Sequence, residues 1–357
     1  MNEKKKIKVL IVAPQYPLVG GQAVQASRIL EKFGSDDEVE AHLQPVNPRF
    51  LPALQKITGA RTIVTSIKYI FDLLVKIPKY DVIHIFSASY FSFILAPAPA
   101  ILIAKLFGKK TILNYRSGEA GDHLENWKRT AIPVIRRADS IVVPSGYLVD
   151  IFEKFGLRAK AVFNFVDTEK LKFRKREKFK PVFLSNRNFE ELYNVACILR
   201  SFRIIQDQIP DAKLIIVGDG KEKRALENLA QELELENYEF RGQVSPDEMG
   251  RIYDEADIYL NSPNIDNMPN SVIEAFYSGI PVVSTNAGGI PYIVENSATG
   301  ILVETDDHAA LAAGALKLLE DEGSAAAIAA RAKEESKKYL WESVRWKWVD
   351  EYKTLAK

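Results

Sequence analysis

Glu274 lies just inside a loop-to-helix passage, NIDNMPNSVIEAFYSGIPVVSTNAGGIP (residues 264–291), whose residue types suit a phosphorylated, hydroxyl-rich ligand. Asn270 and Ser271 are good N-cap residues, and Val272, Ile273, Ala275 and Phe276 supply an apolar helical face. A helix N-terminus presents unpaired N–H groups and a partial positive charge, which makes it a ready site for phosphate. Glu274 on the opening turn then faces the same ligand and accepts hydrogen bonds from sugar hydroxyls. Gly279 stops the helix, Pro281 blocks its continuation, and Val282 and Val283 enter a strand. Gly288-Gly289 gives a second place where backbone approaches a ligand closely. In RSGEAGDHL, Arg116 carries a fixed charge and a planar fork for a phosphate or carboxylate. Two structural readings compete with these. Ser271 to Glu274 also fits a capping box, and Asp266 ahead of Pro269 fits an Asx turn.

The same stretch resembles the donor-site signature of retaining glycosyltransferases of family 4, the glycosyl transferases group 1, which have the two-domain GT-B architecture. That pattern pairs two acids separated by seven residues, then EA, a G-x-PVV strand and a GG-x-P turn. Glu274, Ala275, Gly279, Pro281, Val282, Val283, Gly288, Gly289 and Pro291 fall into place, with Asp266 where the family usually carries Glu. The resemblance implies that Glu274 binds the ribose, Asp266 the sugar hydroxyls, and Arg187 with the amides of Asn270, Ser271 and Val272 the diphosphate. It further implies donor contacts at Gly20 and Gly21, at Asn186, at Gly218 in the VGxG-like strand end, and at Val244 beside the nucleobase. Three departures bear on activity: Leu192 replaces a Lys that normally accompanies Arg187, Arg116 stands where a His is usual, and Tyr292 replaces an acid. Asn186, Asn188 and Arg116 are the candidates to compensate for the missing lysine.

These residues need a scaffold of strands with shared ends, and the hydrophobic pattern supplies one. KVLIVAP (8–14), DVIHIF (81–86), TILNY (111–115), SIVVPS (140–145) and AKAVFNF (159–165) alternate with helical segments, among them Gln22–Phe33, an apolar helix through Leu106, and Ala131–Arg137. The pattern restarts with VFLSN (182–186), KLIIVGDG (213–220), YEFRG (238–242) and IYLNS (258–262), again with helices between. Continuous Val/Ile strands alternating with helices predict parallel sheets covered on both faces. The charged run DTEKLKFRKREKFK (167–180) is the best domain boundary. The expectation is an α/β fold: a Rossmann-like acceptor domain over 1–167 and a facing Rossmann-like donor domain over 180–338. A helix over 339–357 is implied by the resemblance to cross back to the first domain.

Composition narrows the classes. The 357 residues are 47% hydrophobic and 27% charged, ordinary for a globular protein large enough for two cores. One cysteine, Cys197, excludes an intrachain disulfide, and four scattered histidines give no metal-ligand spacing. FSFILAPAPAILIAKLF (91–107) is short for a membrane span and broken by two prolines, and MNEKKKIK leads directly into a strand without a secretory pattern. Residues 1–165 hold 23 Lys/Arg against 14 Asp/Glu, a balance of +9, whereas the remainder is at −8. The basic segment Arg49–Lys79, interleaved with apolar residues, suits an anionic membrane surface or an ordinary solvated helix face.

Together these expectations describe a cytoplasmic, retaining, metal-independent glycosyltransferase of hexosyl type, peripheral on the membrane leaflet. It needs no cofactor beyond a nucleotide-diphosphate sugar as donor substrate and binds no nucleic acid. The acceptor is a glycan or lipid-linked molecule of cell-surface polysaccharide or glycolipid synthesis. The alternatives are a non-catalytic partner subunit of the same fold and a nucleotide-sugar epimerase.

Overall fold

A computed structural model of the protein describes residues 6–15, 21–48, 58–87 and 89–357. The chain divides into two compact units, residues 1–163 with 344–357, and residues 164–343. The first contains the strands β1 (Ile7–Ala13), β2 (Val39–Pro45), β3 (Val82–Ser87), β4 (Lys110–Tyr115), β5 (Ser140–Val143) and β6 (Lys160–Ala161). All pair in parallel, in the order β2-β1-β3-β4-β5-β6. The second contains β7 (Val182–Asn186), β8 (Lys213–Val217), β9 (Tyr238–Gly242), β10 (Ile258–Asn261), β11 (Val282–Thr285) and β12 (Ile301–Val303). These too are parallel, in the order β12-β11-β10-β7-β8-β9. Parallel strands need crossover helices, which cover both faces and leave the strands in apolar surroundings. Val9–Ala13 and β3 are buried along their whole length for this reason.

Several elements differ from the pattern reading. The Phe91–Phe107 stretch is two helices, Tyr90–Leu95 and Pro97–Leu106, because Pro97 disfavours helical backbone at the residue before it and supplies no N–H. Only Lys160–Ala161 of AKAVFNF remains in the sheet. The strand Val39–Pro45 and the helices Gly146–Lys154 and Glu322–Ser336 have no counterpart in that reading.

The chain passes between the units at Phe163/Asn164, ahead of the charged run at 167–180. That run belongs to the second unit because its arginines are fastened there. The buried guanidinium of Arg176 donates to the carbonyls of Ser278 (2.8 Å), Gly279 (3.0 Å), Tyr253 (2.9 Å) and Ala256 (2.7 Å), and to Asp257 Oδ1 (3.0 Å). A planar five-donor fork fills a carbonyl-lined pocket where a lysine would leave acceptors unmet.

The last helix, Trp341–Ala356, returns from Val344 onward to the first unit. Trp348 and Tyr352 are buried against His84, with ring centroids at 4.6 and 5.9 Å, and charged contacts flank them. Arg345 Nε donates to Asp36 Oδ2 at 2.6 Å, Lys160 pairs with Glu351 at 2.8 Å, and Lys353 pairs with Glu38. Trp348 and Tyr352 therefore dock this helix, whereas Trp346 on the same helix stays 61% exposed.

Candidate functional site

In the second sheet the chain runs from β7 outward to β8 and β9, then returns to place β10 on the other side of β7. Loops leaving the carboxyl ends of β7 and β10 diverge there, and such a switch point is where open parallel sheets hold ligands. Asn186 and Arg187 stand at the end of β7. The loop after β10 carries Asp266 and leads into the helix Asn270–Tyr277.

Arg187 is the hub. One terminal nitrogen, Nη2, donates to Asp266 Oδ2 at 2.5 Å, and Nη1 donates to Ser271 Oγ at 3.3 Å. The guanidinium lies over the Tyr193 ring, 3.9 Å from its centroid. Its Nε is buried with no hydrogen-bond partner. Burial acts to lower the Arg187 pKa, but the Asp266 carboxylate together with Tyr193 and Tyr259 outweighs it and the net shift is upward, so the side chain is held as a cation. The other Asp266 oxygen takes the Asn267 N–H at 2.7 Å, one residue on where an Asx turn would take the N–H two residues on.

Glu274 is buried, and its Oε2 accepts from the Tyr253 hydroxyl at 3.0 Å. Asn186 Nδ2 donates to the same hydroxyl at 3.3 Å, and the Tyr259 hydroxyl donates to the Asn186 carbonyl at 3.3 Å. Burial, followed by the nearby Glu274 charge, pushes the Tyr253 pKa well up, so it remains a neutral donor. The helix register excludes the capping box. Pro269 is the N-cap, so Ser271 is already inside the first turn and Glu274 is too far along to reach back to the cap.

The glycines of the motif support the two functional loops. A Cβ on Gly218 would sit 2.0 Å from the Arg187 carbonyl oxygen, and one on Gly289 would sit 1.9 Å from that of Asn267. Each glycine thus lets the loop bearing Arg187 or Asp266 close against its neighbour strand; Gly289 N–H also donates to the Asp266 carbonyl at 3.0 Å. Leu192 ties the same loops through backbone, its carbonyl accepting from Asn264 (2.9 Å) and Ile265 (3.3 Å). No cation occupies that position, and Tyr193 next to it packs on Arg187 instead. Val244 is half-buried in the loop after β9, whose Gly242 carbonyl accepts from Gly218 N–H at 2.9 Å.

The structure therefore gathers Asn186, Arg187, Asp266, Ser271 and Glu274 around one helix N-terminus, that of Asn270–Tyr277, which also carries the Asn270 and Val272 amides. It adds Tyr193, Tyr253 and Tyr259, which sequence reasoning missed. Tyr253 and Tyr259 carry no periodic signal beyond an ordinary helix and strand; the tyrosine directly after Leu192 was the one local clue.

Arg116 belongs to the first unit, at the end of β4. Its Nη1 donates to Asn114 Oδ1 at 3.2 Å, and the guanidinium lies 5.3 Å from the Phe86 ring centroid. Burial pushes its pKa down, and no carboxylate pairs with it among the described residues. This bond orients the Asn114 amide so that Nδ2 donates to His84 Nε2 (2.9 Å), which leaves His84 Nδ1–H to donate to Tyr352 Oη (2.8 Å). His84 is thus a core residue under the last helix. Gly21 opens the helix Gly21–Phe33 with open space around it, and Gly20 lies outside the described residues.

Residues 167–335 match the family model "Glycosyl transferases group 1". The chain is 30% identical over 161 residues to sulfoquinovosyl transferase SQD2 of Arabidopsis thaliana, covering 44% of this chain and 31% of that protein. It is 28% identical over 208 residues to N-acetyl-alpha-D-glucosaminyl L-malate synthase of Bacillus anthracis, covering 55% and 52%. The match thus spans about half or less of the length of these relatives. Among solved structures, HepE of Anabaena in complex with UDP-glucose superposes with a TM-score of 0.77 at 17% identity, over 98% of this chain and 99% of that one. At that identity the likeness speaks for the fold. With two six-stranded parallel sheets the chain has the GT-B fold, and its second unit carries the match to the glycosyl transferases group 1 model.

Proposed function

We propose that the chain is a retaining family 4 glycosyltransferase that moves a hexose from a nucleoside-diphosphate sugar to a glycan or lipid-linked acceptor, at the cytoplasmic face of a membrane and without a metal. The observation that carries this reading is the buried Arg187, bonded to Asp266 and Ser271 at the β7/β10 switch point, with one guanidinium N–H unmatched. A diphosphate is the ligand whose charge and acceptor geometry suit that fork together with the first-turn amides of Asn270, Ser271 and Val272. Glu274 accepts from the ribose hydroxyls, and Asp266 exchanges part of its bond with Arg187 for hydroxyls of the transferred sugar. Arg116 supplies a second fixed cation, for a phosphate or carboxylate group of substrate. In this reading the departing phosphate takes the acceptor's proton on the face where the new bond forms, and Arg187 stabilises the charge that develops on it. That one relative is a sulfoquinovosyl transferase, and that HepE was solved with UDP-glucose, supports a nucleotide-sugar donor.

Leu192 favours a second reading, a partner subunit that keeps the fold without the chemistry, because a point charge expected beside Arg187 is replaced by an apolar side chain. One experiment separates the two. A panel of nucleotide sugars beginning with UDP-glucose is screened for thermal stabilisation, and each binder is then assayed for nucleotide release with and without acceptor. Stabilisation with turnover supports the transferase, whereas stabilisation without turnover supports the partner subunit. No shift with any nucleotide sugar removes the transferase reading.

A further inference from the structure

Twelve of the sixteen exposed large apolar side chains among the described residues fall between Ile63 and Phe107. They lie on the helices Thr58–Lys76, Tyr90–Leu95 and Pro97–Leu106 and on Phe107 after them. These helices form one surface. The Tyr69 hydroxyl of the first donates to the carbonyl of Ala96, which joins the other two, at 2.9 Å. Tyr69 and Leu73 of the first helix and Ala100, Ile101 and Ala104 of the third pack in one core cluster against Leu10, Ile83 and Leu113 of the sheet. Both helices therefore cover the same sheet face, and their outer sides point away from it together.

The first helix has two apolar faces. Tyr69 and Leu73 satisfy the core, and a second stripe at i, i+4 and i+8 (Ile63, Ile67 and Phe71, each more than 60% exposed) faces outward. Phe91 and Leu106, at 71% and 76% exposure, extend it across the neighbouring helices. Exposed apolar side chains gathered on adjoining helices in this way mark an interaction site. Residues 58–110 hold seven Lys/Arg against two Asp/Glu, and Lys76, Lys79 and Lys109 have no carboxylate partner among the described residues. Lys76 follows the exposed Leu74 and Val75, and Lys109 follows Leu106 and Phe107, so cations border the apolar patch. This charge disfavours pairing with a second copy, since a two-fold contact would bring the same lysines together. It suits lipid phosphates. No helix among the described residues is long and apolar enough to cross a membrane.

We propose that the outward face of these three helices docks on an anionic membrane, seating its apolar side chains at the headgroup–acyl boundary while Lys76, Lys79 and Lys109 meet lipid phosphates. The surface extends well past the basic segment at 49–79 that the sequence singles out, of which residues 49–57 lie outside the described set. It deepens the lipid-linked-acceptor reading, but its test reads binding, so docking and transferase activity fail separately. The full chain is cosedimented with phosphatidylcholine vesicles with and without phosphatidylglycerol across a salt series. Binding is expected only with the anionic lipid, fading as ionic strength rises. I67N/F71N/L106N is expected to bind about tenfold more weakly or not at all, and K76E/K79E/K109E likewise, both with unchanged melting temperature because the sites are exposed or half-buried. Equal binding to neutral vesicles, undiminished binding by either variant, or no binding at all overturns the proposal. So does a concentration-dependent dimer that the apolar variant abolishes, which would assign the face to a second copy.

Discussion

Arg187 is held on two sides by Asp266 and Tyr193, so its guanidinium plane is fixed and a ligand meets preset donors. Removing it takes away the fork and leaves Asp266, itself mostly buried, without its counter-charge. Arg187→Ala is expected to lower kcat/KM by about 2–4 kcal/mol of transition-state stabilisation. The check is steady-state kinetics on a variant shown by its melting curve to be folded; activity equal to the parent would place the diphosphate elsewhere. Glu274 and Tyr253 allow a finer division. Gln at 274 still accepts from the Tyr253 hydroxyl, so Glu274→Gln should keep its melting temperature while donor affinity falls about tenfold through the weakened ribose contact. Tyr253→Phe should show the reverse, a stability loss of about 1–2 kcal/mol from a carboxylate left short of a donor, with a smaller effect on affinity. Calorimetric titration beside thermal melts distinguishes the two, and a Gln variant with full donor affinity would make Glu274 a structural residue only.

At the scale of elements, the site depends on how closely two loops approach their neighbouring strands. Gly289 and Gly21 make a contrasting pair. An added Cβ at 289 meets the Asn267 oxygen at 1.9 Å, whereas one at 21 meets nothing within 4 Å. Gly289→Ala should therefore displace the Asp266 loop, costing about 1–3 kcal/mol of stability together with most of the turnover. Gly21→Ala should leave stability unchanged or raise it by about 0.5 kcal/mol. Paired thermal denaturation curves test this, and a Gly289→Ala variant as stable as the parent would show that the loop yields at little cost. The last helix illustrates the same dependence on placement. Arg345 faces the buried Asp36, whose pKa is lowered: burial acts to raise it, but the Arg345 hydrogen bond, helped by backbone N–H groups, overcomes that.

For the whole molecule, pH offers a test that does not depend on substrate. Burial pushes His84 down to about 3, with the Arg116 charge adding to the effect, and burial pushes His123 down to about 4 against a smaller opposing influence of Asp122. Unfolded, each takes up a proton near 6.5, so below that pH the unfolded chain binds more protons than the folded one. Stability is thus fully present above about pH 6.5 and declines as pH falls toward 3–4, by up to about 1.4 kcal/mol per pH unit for each histidine. Asp36 adds to the loss at the acid end, because its depressed pKa has the same sign. Melting temperatures from pH 7 to pH 4 should fall, and His84→Gln should flatten the profile between pH 6.5 and 4. A parent profile that is level across that interval would mean that these imidazoles are not held neutral.

Much of this was legible in the sequence. Alternating Val/Ile strands and helices required parallel sheets, because such strands have no other way to cover both faces. The Asp266…Glu274 spacing with its glycines marked one site, because a backbone that close to its neighbours tolerates no side chain at 218 or 289. Other assignments required contacts distant in sequence. Whether Glu274 caps its helix or lies on Tyr253 depends on the turn at which the helix starts, which propensities at Asn270 and Ser271 leave open. His84 stands 268 residues from Tyr352, the residue that makes it a core group, and Arg176 finds its carbonyls some 80 to 100 residues along the chain. The outward stripe on helix 58–76 resembles any amphipathic pattern until Tyr69 and Leu73 are seen to have filled the core already. Local physics selects the elements, whereas which face remains unmatched and which charge finds a partner are decided by packing between segments far apart in the chain.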